Sequence, residues 1–136
     1  FATEAEVMDS ILYLLFPNFA PWAGYHTALT YRHRPNGDDH RSSIMEVFFL
    51  SPFSGKRPPN AKRRDLTIDE PFTNATELGM LAKVFQQDVF NMSKVQAGLE
   101  TTWKPGVTLA NYQEVKVRWL HKLLGEFVNK DFTGRH

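Results

Sequence analysis

Apolar residues follow two rhythms along this chain: runs and alternations before residue 52, then steps of three and four after residue 73. Ile11-Leu12-Tyr13-Leu14-Leu15-Phe16 is an apolar run of strand length, closed by Pro17-Asn18. From Trp22 to Arg34 the chain is rich in Tyr, Thr and Leu and predicts one longer strand. Asn36-Gly37-Asp38-Asp39 predicts a turn, because Asn-Gly favours positive φ. A third strand over 42–51 puts Ile44, Glu46, Phe48 and Leu50 on one side and Met45, Val47 and Phe49 on the other. Two such runs joined by Asn-Gly predict an antiparallel hairpin. The first ten residues predict a polar lead-in with at most a helical turn.

Residues 52–73 hold Pro52, Pro58, Pro59 and Pro71 and a basic cluster of Lys56, Arg57, Lys62, Arg63 and Arg64. This is a long loop, and its charges either dock an acidic partner or simply face water. A helix is predicted from Asn74, where Asn74 and Glu77 have capping-box spacing, to Gly98 as the residue after its end. After Pro105-Gly106, Asn111 and Glu114 repeat the starting signal for a second helix. Its buried stripe is Tyr112, Val115, Trp119, Leu123 and Phe127, with Lys116 and Arg118 on other faces. Strands followed by helices predict an α+β fold with antiparallel pairing.

One position breaks the helical rhythm. Leu78, Leu81, Phe85, Met92 and Val95 step by three and four, and the missing step falls on Asp88. Read strictly, an aspartate points inward, where an unpaired carboxylate must take up a proton or find a cation. A metal ion, an acid/base role and a buried ion pair all answer that need. The alternative is a helix that rolls or ends so that Asp88 meets water, and Val84 and Val89 blur the stripe enough to allow it. The inward reading predicts that Asp88 lines a cavity wall without a basic partner.

Composition narrows the classes. The 136 residues suit one domain or part of one, and 42% hydrophobic with 13% aromatic content is globular. Sixteen basic against 15 acidic residues give +1, too little to attract nucleic acid or an anionic membrane globally. The absence of cysteine excludes disulfides, thiolate metal sites and a cysteine nucleophile within these residues. No apolar run is long enough to span a bilayer. The chain opens Phe1-Ala2-Thr3-Glu4, with neither initiator methionine nor signal pattern, and reads as a piece of a longer protein.

Histidines do not complete a metal site on their own. His26, His33, His40, His121 and His136 are scattered, and none forms an i, i+4 helical pair. His26 and His33 have opposite parity along one predicted strand. Nucleophile elbows, S-x-x-K and Gly-rich phosphate loops are absent.

The segment Phe85-Gln86-Gln87-Asp88-Val89-Phe90-Asn91-Met92-Ser93-Lys94-Val95-Gln96-Ala97-Gly98-Leu99 resembles the ligand-bearing helix of the Rieske-type aromatic ring-hydroxylating oxygenases, near the end of their α subunit. Leu15-Phe16-Pro17-Asn18 is similar to that family's "FPN" element, and the last helix, with Glu114, Trp119 and His121, to its closing helix. The D-x-x-N-M and V-Q-x-G-L combination is the more specific part. Many members carry an acidic residue immediately before the ligand, where this chain has Gln87.

The resemblance implies a helix-grip (START/Bet v 1-like) fragment: antiparallel strands packed on a long helix, plus a C-terminal helix, covering 1–136 as the C-terminal part of a catalytic domain. It implies mononuclear Fe(II) held by Asp88 and two upstream histidines, with a [2Fe–2S] cluster in an upstream Rieske domain. Such a triad leaves positions open for O2 and substrate. The substrate wall it suggests comprises Leu12, Phe16, Trp22, Leu81, Val84, Phe85 and Met92, with Leu14 beside them, an apolar lining suited to an aromatic compound. Further implications are a ferredoxin or reductase as electron donor, a homotrimer or α3β3 assembly, a cytoplasmic location, and dihydroxylation or hydroxylation of a ring. The fragment alone is expected to be inactive. From another class, a non-enzymatic helix-grip domain binding a hydrophobic small molecule would use the same cavity without metal.

Overall fold

Pro21 shapes the first hairpin. The computed structural model describes residues 3–9, 11–23 and 29–130. In it β1 (Ile11–Leu12) runs antiparallel to β2 (Phe19–Ala23), with Leu12 opposite Trp22. The same register reaches a bridge where Leu15 and Phe19 exchange both backbone hydrogen bonds, at 2.7 and 3.0 Å. Between these points Tyr13 N–H donates to the Pro21 carbonyl at 3.0 Å, but proline has no N–H to return. The regular ladder is therefore shorter than the strand expected over 11–16. Its alternation survives: Leu12, Leu14 and Phe16 are half-buried while Ile11, Tyr13 and Leu15 are exposed.

The single strand expected from Trp22 to Arg34 is instead two. β2 pairs antiparallel with β3 (Leu29–Asn36), setting Phe19 opposite Arg32, Ala20 opposite Tyr31 and Pro21 opposite Thr30. Residues 24–28, between the two strands, lie outside the described residues. Strand-forming composition is the same in both strands, so composition alone does not separate them. β3 then pairs with β4 (Asp39–Phe49) through a tight turn at Gly37-Asp38, where Gly37 has φ 58°. Only glycine takes that conformation without steric cost. The register shifts between Pro35 and Asn36, so Asn36 faces Asp39 while Arg34 faces Ile44 and Arg32 faces Glu46. The result is an α+β chain with a four-stranded antiparallel sheet in the order β1-β2-β3-β4, preceded by a short helix α1 (Glu4–Met8).

The chain divides into two compact units, 1–52 with 109–136, and 53–108. In the first, α3 (Val115–Asn129) meets the sheet segment through Phe16 and Phe127, whose ring centroids lie 4.8 Å apart. Trp22 and Tyr31 meet edge to face at 6.1 Å on the same sheet, and Leu29 is buried. α3 starts at Val115, later than the Asn111 signal suggests, because 111–114 form turns. The Glu114 carboxylate accepts from Ala110 N–H, reaching back as a capping residue does but one residue beyond Asn111. Asn111 accepts from Arg118 instead of capping the helix. Tyr112, expected in the buried stripe, precedes the helix and is 89% exposed.

In the second unit, residues 53–71 form no helix or strand, and the basic cluster lies exposed. Arg63 pairs with Asp65, and Arg64 with Glu77 at 2.8 Å. Glu77 is thereby taken from the expected capping box. Two 3-10 turns, Phe72–Asn74 and Thr76–Leu78, precede Gly79, whose φ of 54° interrupts any helical path from Asn74. α2 (Leu81–Thr101) begins only after that break and runs through Gly98. Phe85 is the centre of this unit's core at 1% exposure, with Ala75 and Ala82 also buried. Its ring lies 5.4 Å from Phe72, and the Phe72 N–H donates to the Gln86 side-chain carbonyl at 2.6 Å. An N–H partly withdrawn from water gains from such an acceptor, so Gln86 fastens the 3-10 turn to the helix.

Candidate functional site

Asp88 lies seven residues into α2, and its side chain is exposed. The inward orientation expected from the three-four spacing is not realised. At about 100° per residue, Asp88 lies roughly 60° to one side of Phe85 and Val89 about 40° to the other. The packed face follows Ala82, Phe85 and half-buried Val89, so the stripe takes a step of four at the place where the sequence reading took three. Leu81 is half-buried at the edge of that face.

Beyond Val89 every residue of α2 is exposed. The turns at 72–78 cover only the first part of the helix, so alignment with Phe85 no longer brings burial. Met92 is 47% exposed, Val95 61% and Leu99 44%. Asp88, Met92, Val95 and Leu99 share one face by their three-four spacing. The carboxylate therefore stands at the head of an uncovered apolar stripe.

Among the substrate-wall residues, the second unit separates three roles. Phe85 packs as core against Phe72, while Val84 is 51% exposed and points away from that core. Met92 lies on the uncovered stripe. In the first unit, Leu12 and Leu14 line a groove of about 340 Å3 with Tyr13, Val115, Lys116 and Trp119. Phe16 rests against Phe127, and Trp22 against Tyr31. Lys116, expected on another face, lines this groove and its ammonium donates to the Leu12 carbonyl. The open N–H and C=O groups of an edge strand explain that attraction.

Asp88 has no ion-pair partner among the described residues, and no three His, Cys, Asp or Glu side chains there gather into a group able to hold a metal ion. His33, His40 and His121 are exposed; His26 and His136 lie outside the described residues. Taken alone, these residues do not fit a metal centre: they supply at most one carboxylate of the ligand set. No helix among the described residues is long and apolar enough to cross a membrane.

A charged cluster that the hydropathy pattern did not single out occupies one face of the sheet. Glu46 on β4 accepts from Arg32 Nε directly opposite and pairs with Arg34 Nη2 at 3.0 Å. Hydrogen bonds from Arg32, then Arg34, hold the Glu46 carboxyl down to about 2. Its folded-state value lies below the ordinary glutamate value of 4.5, so its stabilising contribution is full above that value and fades as pH falls towards about 2. Glu46→Gln is therefore expected to flatten the acid limb of the stability curve between those values. An acid titration followed by circular dichroism checks it; an unchanged limb would show that the pair contributes nothing.

No family model, no curated protein and no solved structure matches this chain.

Proposed function

We propose that this chain is the C-terminal part of the catalytic domain of a Rieske non-haem iron oxygenase α subunit, with a helix-grip architecture. The observation that carries the reading is the head of the α2 stripe. The D-x-x-N-M and V-Q-x-G-L residues, Asp88 to Leu99, lie on one uninterrupted helix, and Asp88, Met92, Val95 and Leu99 stand on its uncovered side. Exposed apolar residues in a row suit a covering surface. Once covered, a carboxylate at their head loses water and needs a cation, and a ferrous ion shared with two histidines outside these residues supplies it. The "FPN" element, Phe16-Pro17-Asn18, sits at the tight turn of the first hairpin, and the antiparallel sheet precedes the helix in the order the family has.

In this reading Asp88 contributes one ligand to a mononuclear iron, which supplies O2 activation for dihydroxylation or hydroxylation of an aromatic ring. Met92, one turn further on, offers an apolar thioether next to it, and Leu12, Phe16 and Trp22 are the sheet's candidates for contact with a flat apolar substrate. A [2Fe–2S] Rieske domain, a ferredoxin or reductase donor, a trimeric assembly and a cytoplasmic location belong to the same proposal.

A second reading, a helix-grip module that binds a hydrophobic small molecule without metal, is favoured by two observations. Asp88 is exposed, and the groove beside Leu12, Leu14 and Trp119 is largely apolar. The coding sequence adjoining this chain separates the two. The oxygenase reading expects two histidines a few residues apart, preceded by C-x-H and C-x-x-H. An adjoining open reading frame without them would favour the binding module.

A further inference from the structure

Arg32 and Arg34 project from the same face of β3, two residues apart, and share the single carboxylate of Glu46. Two guanidiniums against one carboxylate leave one positive charge in excess. Their side chains are 43% and 39% exposed against 19% for Glu46, so the arginines are more open to solvent than the acid they share. Arg34 Nε is itself buried and finds no acceptor, so Glu46 satisfies this guanidinium only in part.

Two aromatic rings border the cluster. The Arg32 guanidinium carbon lies 5.6 Å from the centre of the Phe48 ring, and Phe19 stands directly opposite Arg32 across β2 and β3. Both phenylalanines are among the exposed large apolar residues. The ring face attracts the cation and helps to hold this guanidinium beside it. A guanidinium fork donates to a carboxylate in a bidentate manner, and the rings on either side suit a flat apolar body attached to it.

We infer that this sheet face, built from Arg32, Arg34, Glu46, Phe19 and Phe48, binds a small aromatic carboxylate. The carboxylate bridges the two guanidiniums beside Glu46 and its ring lies against Phe48 or Phe19. The excess charge selects an anion, and the aromatic borders favour a flat organic acid over a simple hydrated ion. This inference concerns the first compact unit and does not rest on the iron reading of Asp88.

Titration of benzoate into the protein by calorimetry, with benzyl alcohol as the uncharged counterpart, tests it. Benzoate is expected to bind and benzyl alcohol not. Arg34→Gln is expected to weaken benzoate by about tenfold or more, the loss of one charge-assisted contact. Arg34→Lys keeps the charge and the fold but loses the fork, and is expected to weaken it too. Glu46→Gln removes the competing carboxylate and is expected to tighten binding. Asp88→Ala is expected to leave benzoate binding unchanged, which separates this site from the proposed iron site. Equal affinity in Arg34→Lys and wild type, or weaker binding in Glu46→Gln that retains its circular dichroism, would overturn the inference. Binding of a glutamate-rich peptide without binding of benzoate would overturn it as well, and would reassign the face to an acidic protein segment.

Discussion

Phe85→Ala is expected to detach α2 from the turns that precede it and to cost about 3–5 kcal/mol, the usual range for truncating a buried phenylalanine. Phe85 is 1% exposed and is the largest fully buried side chain described. The unit of 53–108 has few other buried apolar residues, Ala75 and Ala82 among them, so neighbours cannot collapse into the space without moving the helix. Truncation also loosens Phe72, whose ring lies 5.4 Å away, and with it the Phe72 N–H bond to Gln86. Hydrogen exchange at the first turns of α2 reads the effect locally, which matters because two units need not unfold together. Val84→Ala, at a side chain 51% exposed, is the control and is expected to shift stability by about 0.5 kcal/mol or less. Equal protection in the two variants would show that Phe85 is not the anchor.

Local chemistry makes parts of this fold legible in the sequence. The Asn36-Gly37 turn and the antiparallel hairpin around it follow from the one residue that adopts positive φ without strain. The alternation of Leu12, Leu14 and Phe16 against Ile11, Tyr13 and Leu15 holds even where Pro21 breaks the ladder. Register was harder to see. From the tight turn, an undisturbed hairpin sets Arg32 opposite Ser43; the shift between Pro35 and Asn36 sets it opposite Glu46 instead. The ion pair follows from that irregularity, which hydropathy does not encode.

The helices show the same division. Both capping signals marked the neighbourhood of a start, but Glu77 went to Arg64 and Asn111 to Arg118, partners remote enough in sequence that spacing rules do not weigh them. Gly79 held the more useful signal, since a positive φ there ends the preceding turn whatever the caps offer. For Asp88, a three-residue and a four-residue step from Phe85 were both open. The structure took the second: Ala82 and Phe85 are buried and Val89 half-buried, with the Phe72 ring against Phe85. What remained readable at the candidate site was the motif itself and the helix that carries it.

Under the proposed assignment, Asp88→Ala is expected to abolish iron binding at the proposed mononuclear site while leaving the fold intact. An exposed aspartate on a helix that packs through Phe85 is dispensable for stability, to within about 0.5 kcal/mol. In the proposed assignment it is one of three ligands, so its loss should exceed the roughly 10–100-fold penalty of disturbing an outer-shell partner. Fold and metal are thus expected to separate in one variant. A Phe85→Ala protein, by contrast, should lose both together, because the helix that presents Asp88 loses its anchor.

Iron in excess of acid-labile sulfide, measured on the intact protein that carries this chain, is the direct test, since a [2Fe–2S] cluster contributes the two in equal amounts. The proposed assignment predicts such an excess in the wild-type protein and its disappearance in Asp88→Ala, with circular dichroism unchanged. An Asp88→Ala protein that keeps its excess iron at the wild-type level would contradict it.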